Sequence, residues 1–246
     1  MPTVCQSIEY RDGDTPLSGL LFTAPAYLKK RPGLFLVHAG SGLDDHAKGR
    51  AESYAEIGFV VFACDMYGPG IAGNRERVMA TLGEMRSDPA KLCQRARAGL
   101  EILTAHPQVD GRIAAIGYCF GGMTVLQMAR NGMDLAGVVS VHGSLATVQP
   151  ATAGTIKAKI LVCHGALDPH VPMPHVTAFA DEMKAAGADW QLIMYGGALH
   201  GFTHQAPSPF PGVAYNAAAD ARSTIAINDF FSELFFPDND QRVARG

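Results

Sequence analysis

The sequence predicts an α/β domain with a mostly parallel, twisted sheet, an antiparallel N-terminal edge and helices on both faces. Three observations predict it. Short apolar runs rich in β-branched residues recur along the chain, as in strands covered on both faces. Apolar stripes at helical spacing lie between those runs, and the repeated order strand, helix, strand implies parallel pairing. Neither an internal repeat nor a low-complexity linker divides the 246 residues, so one domain over 1–236 is expected, followed by a mobile tail over 237–246 (PDNDQRVARG).

In chain order, Val4, Ile8 and Tyr10, then Leu17 to Phe22 after a Gly13-Asp14 turn, read as an antiparallel hairpin at the sheet's edge. Leu34 to Ala39 (LFLVHA) and Phe59 to Cys64 (FVVFAC) read as covered strands. Tyr67 to Pro89 then interposes Gly68, Pro69, Gly70 and Gly73 between a strand and a helix, a length suited to a lid over a cleft. Asp88 and Pro89 are suited to cap and open a helix with Leu92, Ala96, Leu100 and Leu103 on one stripe. The strand Ile113 to Gly117 leads to the helix Gly122 to Arg130, and Gly137 to Val141 and Ile160 to Cys163 are further strands. Val176, Phe179, Ala180 and Met183 form a stripe begun near Pro174 and stopped by Gly187, Gln191 to Tyr195 is the last strand, and Ala217 to Phe235 is a helix with Ala218, Ala221 and Ile225 on one face.

Composition narrows the function classes. Apolar residues make up 48% and charged residues 17% of the chain, below the roughly 25% charged of an average soluble domain, so disorder is excluded as the main state. At this length folding buries roughly 70 to 75% of the unfolded chain's surface, and a core needs no disulfide or metal staple. Twenty basic against 23 acidic residues, net charge −3, leave no excess for counterion release on a polyanion, so nucleic acid is not an expected partner. The five cysteines, at 5, 64, 93, 119 and 163, form no Cys-x-x-Cys pair and suit reduced thiols rather than a disulfide framework or zinc site. The N-terminus has no apolar signal region and no run is long enough for a bilayer, so a soluble cytoplasmic protein acting on a small molecule is expected.

The segment Ile113 to Gly122 reads IAAIGYCFGG. A strand thus enters Gly117-Tyr118-Cys119-Phe120-Gly121 and leaves as a helix, the nucleophile-elbow pattern with Cys in place of Ser. So sharp a turn requires residues without bulk two before and two after the nucleophile, which accounts for Gly117 and Gly121. The position puts Cys119 at a helix N-terminus, where the local potential favours a thiolate and the Phe120 N–H is available to an oxyanion. Standing alone, Cys119 would read as a small buried hydrophobe. Two further sites change that reading. Asp168 follows the strand Ile160 to Cys163 in HGALDP, and His200 follows the strand Gln191 to Tyr195 in GGALHGF. Loops after parallel strands gather at one edge of the sheet, where ligands bind. Nucleophile, acid and base therefore come together in the chain order of the α/β hydrolases, which makes an α/β-hydrolase fold and a Cys119, His200, Asp168 triad the expectation.

With these residues in view the chain resembles the dienelactone hydrolase family from about Val4 to Phe236, through PGLFLVHAGSGLDDHAKGRAESYAEIGFVVFACDMYG, IAAIGYCFGG, GALDPHVP and YGGALHGF. The resemblance implies Cys119 as nucleophile, His200 as base, Asp168 as orienting acid, and the backbone N–H of Gly40 as second oxyanion donor beside that of Phe120. It also marks departures. Ala39 stands where the family commonly has a Glu that helps activate the cysteine, and His204 stands where members acting on dienelactone carry an arginine. Arg75, Arg77 and Arg86 are the other cations in reach of an anionic substrate by sequence. Candidate pocket residues are Ala39, Ser41, Tyr118, His142, His204, Arg75 and Arg77, and the two departures point to neutral activated esters or lactones, with neutral phosphate triesters as a secondary class.

Several patterns are set aside. Gly68 to Gly73 matches Gly-x-Gly-x-x-Gly, but Pro69 removes an N–H from the phosphate cradle and no acid follows on a second strand, so a lid is the better reading. Ser41 lacks a Gly two residues before it and falls on the oxyanion loop. His164, His170 and His175 lack helical ligand spacing, and neither metal nor cofactor is expected. The alternative from another class is a non-catalytic binding protein on the same fold.

Overall fold

The computed structural model describes residues 2–25, 29–208 and 210–236. The expected tail, 237–246, lies outside the described residues. The elements in chain order are β1 (Val4–Asp12), β2 (Thr15–Thr23), β3 (Arg31–Val37), α1 (Asp45–Glu56), β4 (Val60–Cys64), α2 (Arg75–Ser87), α3 (Pro89–Thr104), β5 (Val109–Tyr118), α4 (Phe120–Arg130), β6 (Gly137–Val141), β7 (Lys159–Gly165), α5 (Met173–Ala186), β8 (Trp190–Tyr195) and α6 (Ala217–Phe235). They build one eight-stranded sheet of order β1-β2-β4-β3-β5-β6-β7-β8. β1 and β2 pair antiparallel, β2 joins β4 antiparallel, and every pairing from β4 to β8 is parallel. This is the α/β-hydrolase architecture that the elbow implied.

Strand alternation divides the core into two layers. Phe35, Val37, Phe62, Ala115, Val138 and Val162 face one way, against Leu92 and Ala96 of α3, Val125 of α4 and Phe179 and Met183 of α5. Leu34, Leu36, Val61, Ile116, Val139 and Leu161 face the other way, against Ala51 and Tyr54 of α1 and Ile227 and Phe231 of α6.

Three details differ from the sequence expectations. Tyr67 to Pro89 is not an open loop: its second half is α2, capped by Asn74, whose side chain accepts the Arg77 N–H. α2 buries only Met85 fully, so it carries no apolar stripe to announce it. Helix α1, capped by Asp44, buries mainly alanines and was equally silent. Helix α6 has the expected bounds, but Ala218, Ala221 and Ile225 are its exposed face, and Ala219, Ile227, Phe230 and Phe231 its buried one. Two phenylalanines and an isoleucine remove far more apolar area from water than two alanines and an isoleucine, and that difference sets the rotation of the helix.

Candidate active site

Strand β5 ends at Tyr118, Cys119 turns the chain with φ 52° and ψ −109°, and α4 begins at Phe120. The flanking glycines are steric necessities. A Cβ on Gly117 would lie 2.0 Å from the Gly121 carbonyl oxygen, and one on Gly121 would lie 2.1 Å from the Val37 carbonyl oxygen. The elbow therefore presses α4 against the end of β3, which brings the loop after β3 beside the sulfur.

Asp168 and His200 enter from the loops after β7 and β8. His200 Nε2 lies 3.0 Å from Cys119 Sγ, and His200 Nδ1 lies 2.7 Å from Asp168 Oδ2. Asp168 Oδ1 accepts the N–H groups of His170 and Val171 at 2.8 and 3.1 Å, so the buried carboxylate is fixed on both oxygens. Burial alone would raise the Cys119 thiol, but the hydrogen bond and charge of His200, with the Phe120 and Gly40 N–H groups, hold it below its ordinary value. Burial alone would lower His200, yet Asp168 and Cys119 push it up to about 10. Burial likewise works against the Asp168 charge, and His200 with the two N–H groups keeps its carboxyl below the usual range. The arrangement favours a thiolate–imidazolium pair at neutral pH.

The backbone N–H groups of Phe120 and Gly40 both reach the sulfur. The Gly40 peptide is held by the Tyr67 hydroxyl, which donates to its carbonyl at 3.0 Å. His38 accepts the Met66 N–H on Nε2 at 3.2 Å, so its proton sits on Nδ1 and is donated to the Ala39 carbonyl at 2.6 Å. Tyr67 and His38 also pack edge to face, 4.7 Å between centroids. Sequence reasoning missed both. The available signal was the recurrence of His at strand ends, His38, His142 and His164, each followed within two residues by Gly.

The candidate pocket residues divide. Ala39 is buried on the oxyanion loop, and Ser41 is exposed with its hydroxyl bonded to Asp44. Tyr118 is buried in the layer of α1 and α6, against which Cys119 also packs, with its hydroxyl 3.4 Å from that of Tyr54 and its ring edge-to-face with His46 at 4.8 Å. His142 is fully buried, with its ring 5.5 Å from that of His200 and 5.9 Å from that of His204. His204 stacks on His46 with centroids 3.7 Å apart. Arg75 stacks over Phe210, Arg77 donates to the Gly70 carbonyl at 3.0 Å, and Arg86 is exposed on the last turn of α2. None of these contacts directs the guanidinium at Cys119. Burial lowers His204 and His142, and lowers His46 to about 3, so the imidazoles around the triad other than His200 that this affects are neutral. Among the described residues, no group of three or more His, Cys, Asp or Glu is placed to hold a metal ion. No helix among them is long and apolar enough to cross a membrane.

Comparison with known proteins agrees with this geometry. The model of the dienelactone hydrolase family matches residues 17–235. The crystal structure of a dienelactone hydrolase-like promiscuous phosphotriesterase from metagenomic libraries superposes with a TM-score of 0.91 at 39% identity, covering 96% of this chain and 100% of that one. An uncharacterized Caenorhabditis elegans protein is 37% identical over 59% of this chain and 95% of its own length. A Bradyrhizobium sp protein described as a probable 2-oxo-3-(5-oxofuran-2-ylidene)propanoate lactonase is 24% identical over 79% of this chain and 82% of its own. A family model spanning nearly the whole described chain, on a fold shared at this identity, means that the chain belongs to the dienelactone hydrolase family.

Proposed function

We propose that this protein hydrolyses neutral activated esters and lactones through a covalent thioester on Cys119. The observation that carries the reading is the position of His200, hydrogen-bonded to Sγ on one nitrogen and to Asp168 on the other. In the first half-reaction the thiolate attacks the carbonyl carbon, and the carbonyl π electrons move to oxygen, where the Phe120 and Gly40 N–H groups receive them. The tetrahedral adduct collapses, the C–O bond to the leaving group breaks, and the His200 imidazolium gives its Nε2 proton to the departing oxygen. In the second half the now neutral His200 takes a proton from water, whose oxygen attacks the thioester carbon. Collapse expels the thiolate, and the imidazolium pairs with it again. No cofactor is needed for the thioester to break down.

A resting ion pair removes the need for a carboxylate at position 39 to activate the thiol. The neutral imidazoles of His46, His142 and His204, with Arg50 bound to Asp220 at 2.5 Å, support a preference for uncharged substrates. A neutral phosphate triester is the secondary class, since the same thiolate and backbone donors suit its developing oxyanion; a structural relative is described as a promiscuous phosphotriesterase. The test compares kcat/KM for a neutral aryl ester, a carboxylate-bearing dienelactone and an aryl phosphate triester. The aryl ester is expected to lead, and Ala39→Glu to lower turnover of the anionic lactone further. A tenfold preference of the parent for the anionic lactone would contradict the reading.

A further inference from the structure

We propose that His142 is a positioning residue of the nucleophile, its Nδ1 accepting the Cys119 N–H while Thr203 holds its Nε2 proton. The proposal rests on Cys119 being the nucleophile. Cys119 (φ 52°) and His142 (φ 42°) are the two non-glycine residues with left-handed backbone among the described residues. Such conformations persist only where the surroundings fix them. Here they fix each other. The Cys119 N–H is shared between the Val141 carbonyl at 2.9 Å and His142 Nδ1 at 3.1 Å, while the His142 N–H donates to the Cys163 carbonyl at 2.8 Å. The elbow is thereby tied through His142 to β7, the strand that also delivers Asp168.

The direction of these bonds follows from donors and acceptors. An Nδ1 that accepts the Cys119 N–H is unprotonated, so neutral His142 carries its proton on Nε2. That nitrogen lies 2.8 Å from Thr203 Oγ1, which must accept from it. Thr203 Oγ1 also lies 3.0 Å from His46 Nε2, so it joins the two imidazoles. With the opposite tautomer, His142 would point an N–H at the Cys119 N–H across 3.1 Å. The peptide plane of the elbow would have to turn, and the adjoining Phe120 N–H with it. His142 touches no substrate in this role; it acts through the Cys119 backbone.

Two substitutions separate positioning from packing. Asn tolerates left-handed backbone and carries Oδ1 near the place of Nδ1, so His142→Asn keeps the acceptor. Gln places its amide near the depth of Nε2, so His142→Gln loses it. In the full-length protein, His142→Gln is expected to lower both kcat for an aryl ester and the rate of Cys119 alkylation by iodoacetamide about 10- to 100-fold. KM should stay within about twofold, and His142→Asn should regain most of the loss. Equal losses in the two variants, or no loss in His142→Gln, overturn the proposal. Should His142→Gln fail to fold, ¹⁵N chemical shifts of the imidazoles in the unsubstituted protein decide. The expected pattern is His142 protonated on Nε2; a proton on His142 Nδ1 overturns the proposal. These shifts do not depend on turnover, so they separate failure of this inference from failure of the hydrolase reading, which Cys119→Ala tests by itself.

Discussion

Burial alone works against charge on both the Cys119 thiol and the His200 imidazole, and each shifts towards its charged form because the other stands 3.0 Å away with Asp168 behind it. The sign of the pH dependence follows. An ordinary thiol is only a few per cent thiolate at pH 7; the lowered Cys119 is ionised further, and its alkylation rate falls as pH drops through that lowered value. Iodoacetamide inactivation should therefore be faster at pH 7 than alkylation of a small free thiol, and His200→Ala should abolish that advantage. The same substitution is expected to lower kcat about 10² to 10⁴-fold, against a much smaller effect of His204→Ala. Steady-state kinetics on the two variants checks this, and equal losses would misplace the base. Cys119, Asp168 and His200 were legible in the sequence because each stands beside its own local marker: a glycine-flanked turn, a strand-end Asp before Pro, a strand-end His before Gly. The hydrogen bonds of His142 to the Cys119 N–H and to Thr203 were not. They depend on a left-handed turn at His142 and on a residue 61 positions further along the chain, neither of which its residue type announces.

Among the elements, the turn from β5 into α4 is the least tolerant of change. Gly121→Ala would put a methyl group 2.1 Å from the Val37 carbonyl oxygen, a backbone atom that cannot move aside without shifting β3. The variant is expected to lose about 1–3 kcal/mol of stability, and the displaced Gly40 loop should reduce activity beyond that loss. Urea unfolding alongside kcat separates the two effects. The central strands were readable because runs such as FVVFAC are apolar throughout. Helix α2 was not, since a helix that buries Met85 and little else has no periodic stripe. It nonetheless borders the site: Leu82 Cδ1 lies 3.6 Å from where a Cβ on Gly40 would stand.

Across the whole molecule, two hydrophobic layers hold the sheet, and one buried ion pair ties the edge hairpin to them. Arg95 of α3 donates to Asp12 Oδ2 at 2.6 Å and to the Met66 carbonyl at 3.0 Å, with both charged side chains under a tenth exposed. Arg95→Ala leaves Asp12 without that partner and is expected to cost about 3–5 kcal/mol, a fall of roughly 2–4 °C in Tm for each kcal/mol at this chain length, measured by calorimetry. The hairpin itself was legible from its alternation, whereas the pair joining residues 83 positions apart was not. The central claim concerns the chemistry of Cys119, and a single measurement addresses it. The protein is mixed with an excess of a chromogenic neutral aryl ester, the released aryl alcohol is followed from the first milliseconds, and a quenched sample is digested and its acylated peptide identified by mass spectrometry. The expected result is one acyl group per chain at most, carried as a thioester on Cys119 and absent from Cys119→Ala. Turnover that survives in Cys119→Ala, or an acyl group found on Ser41 or another residue, would contradict the account.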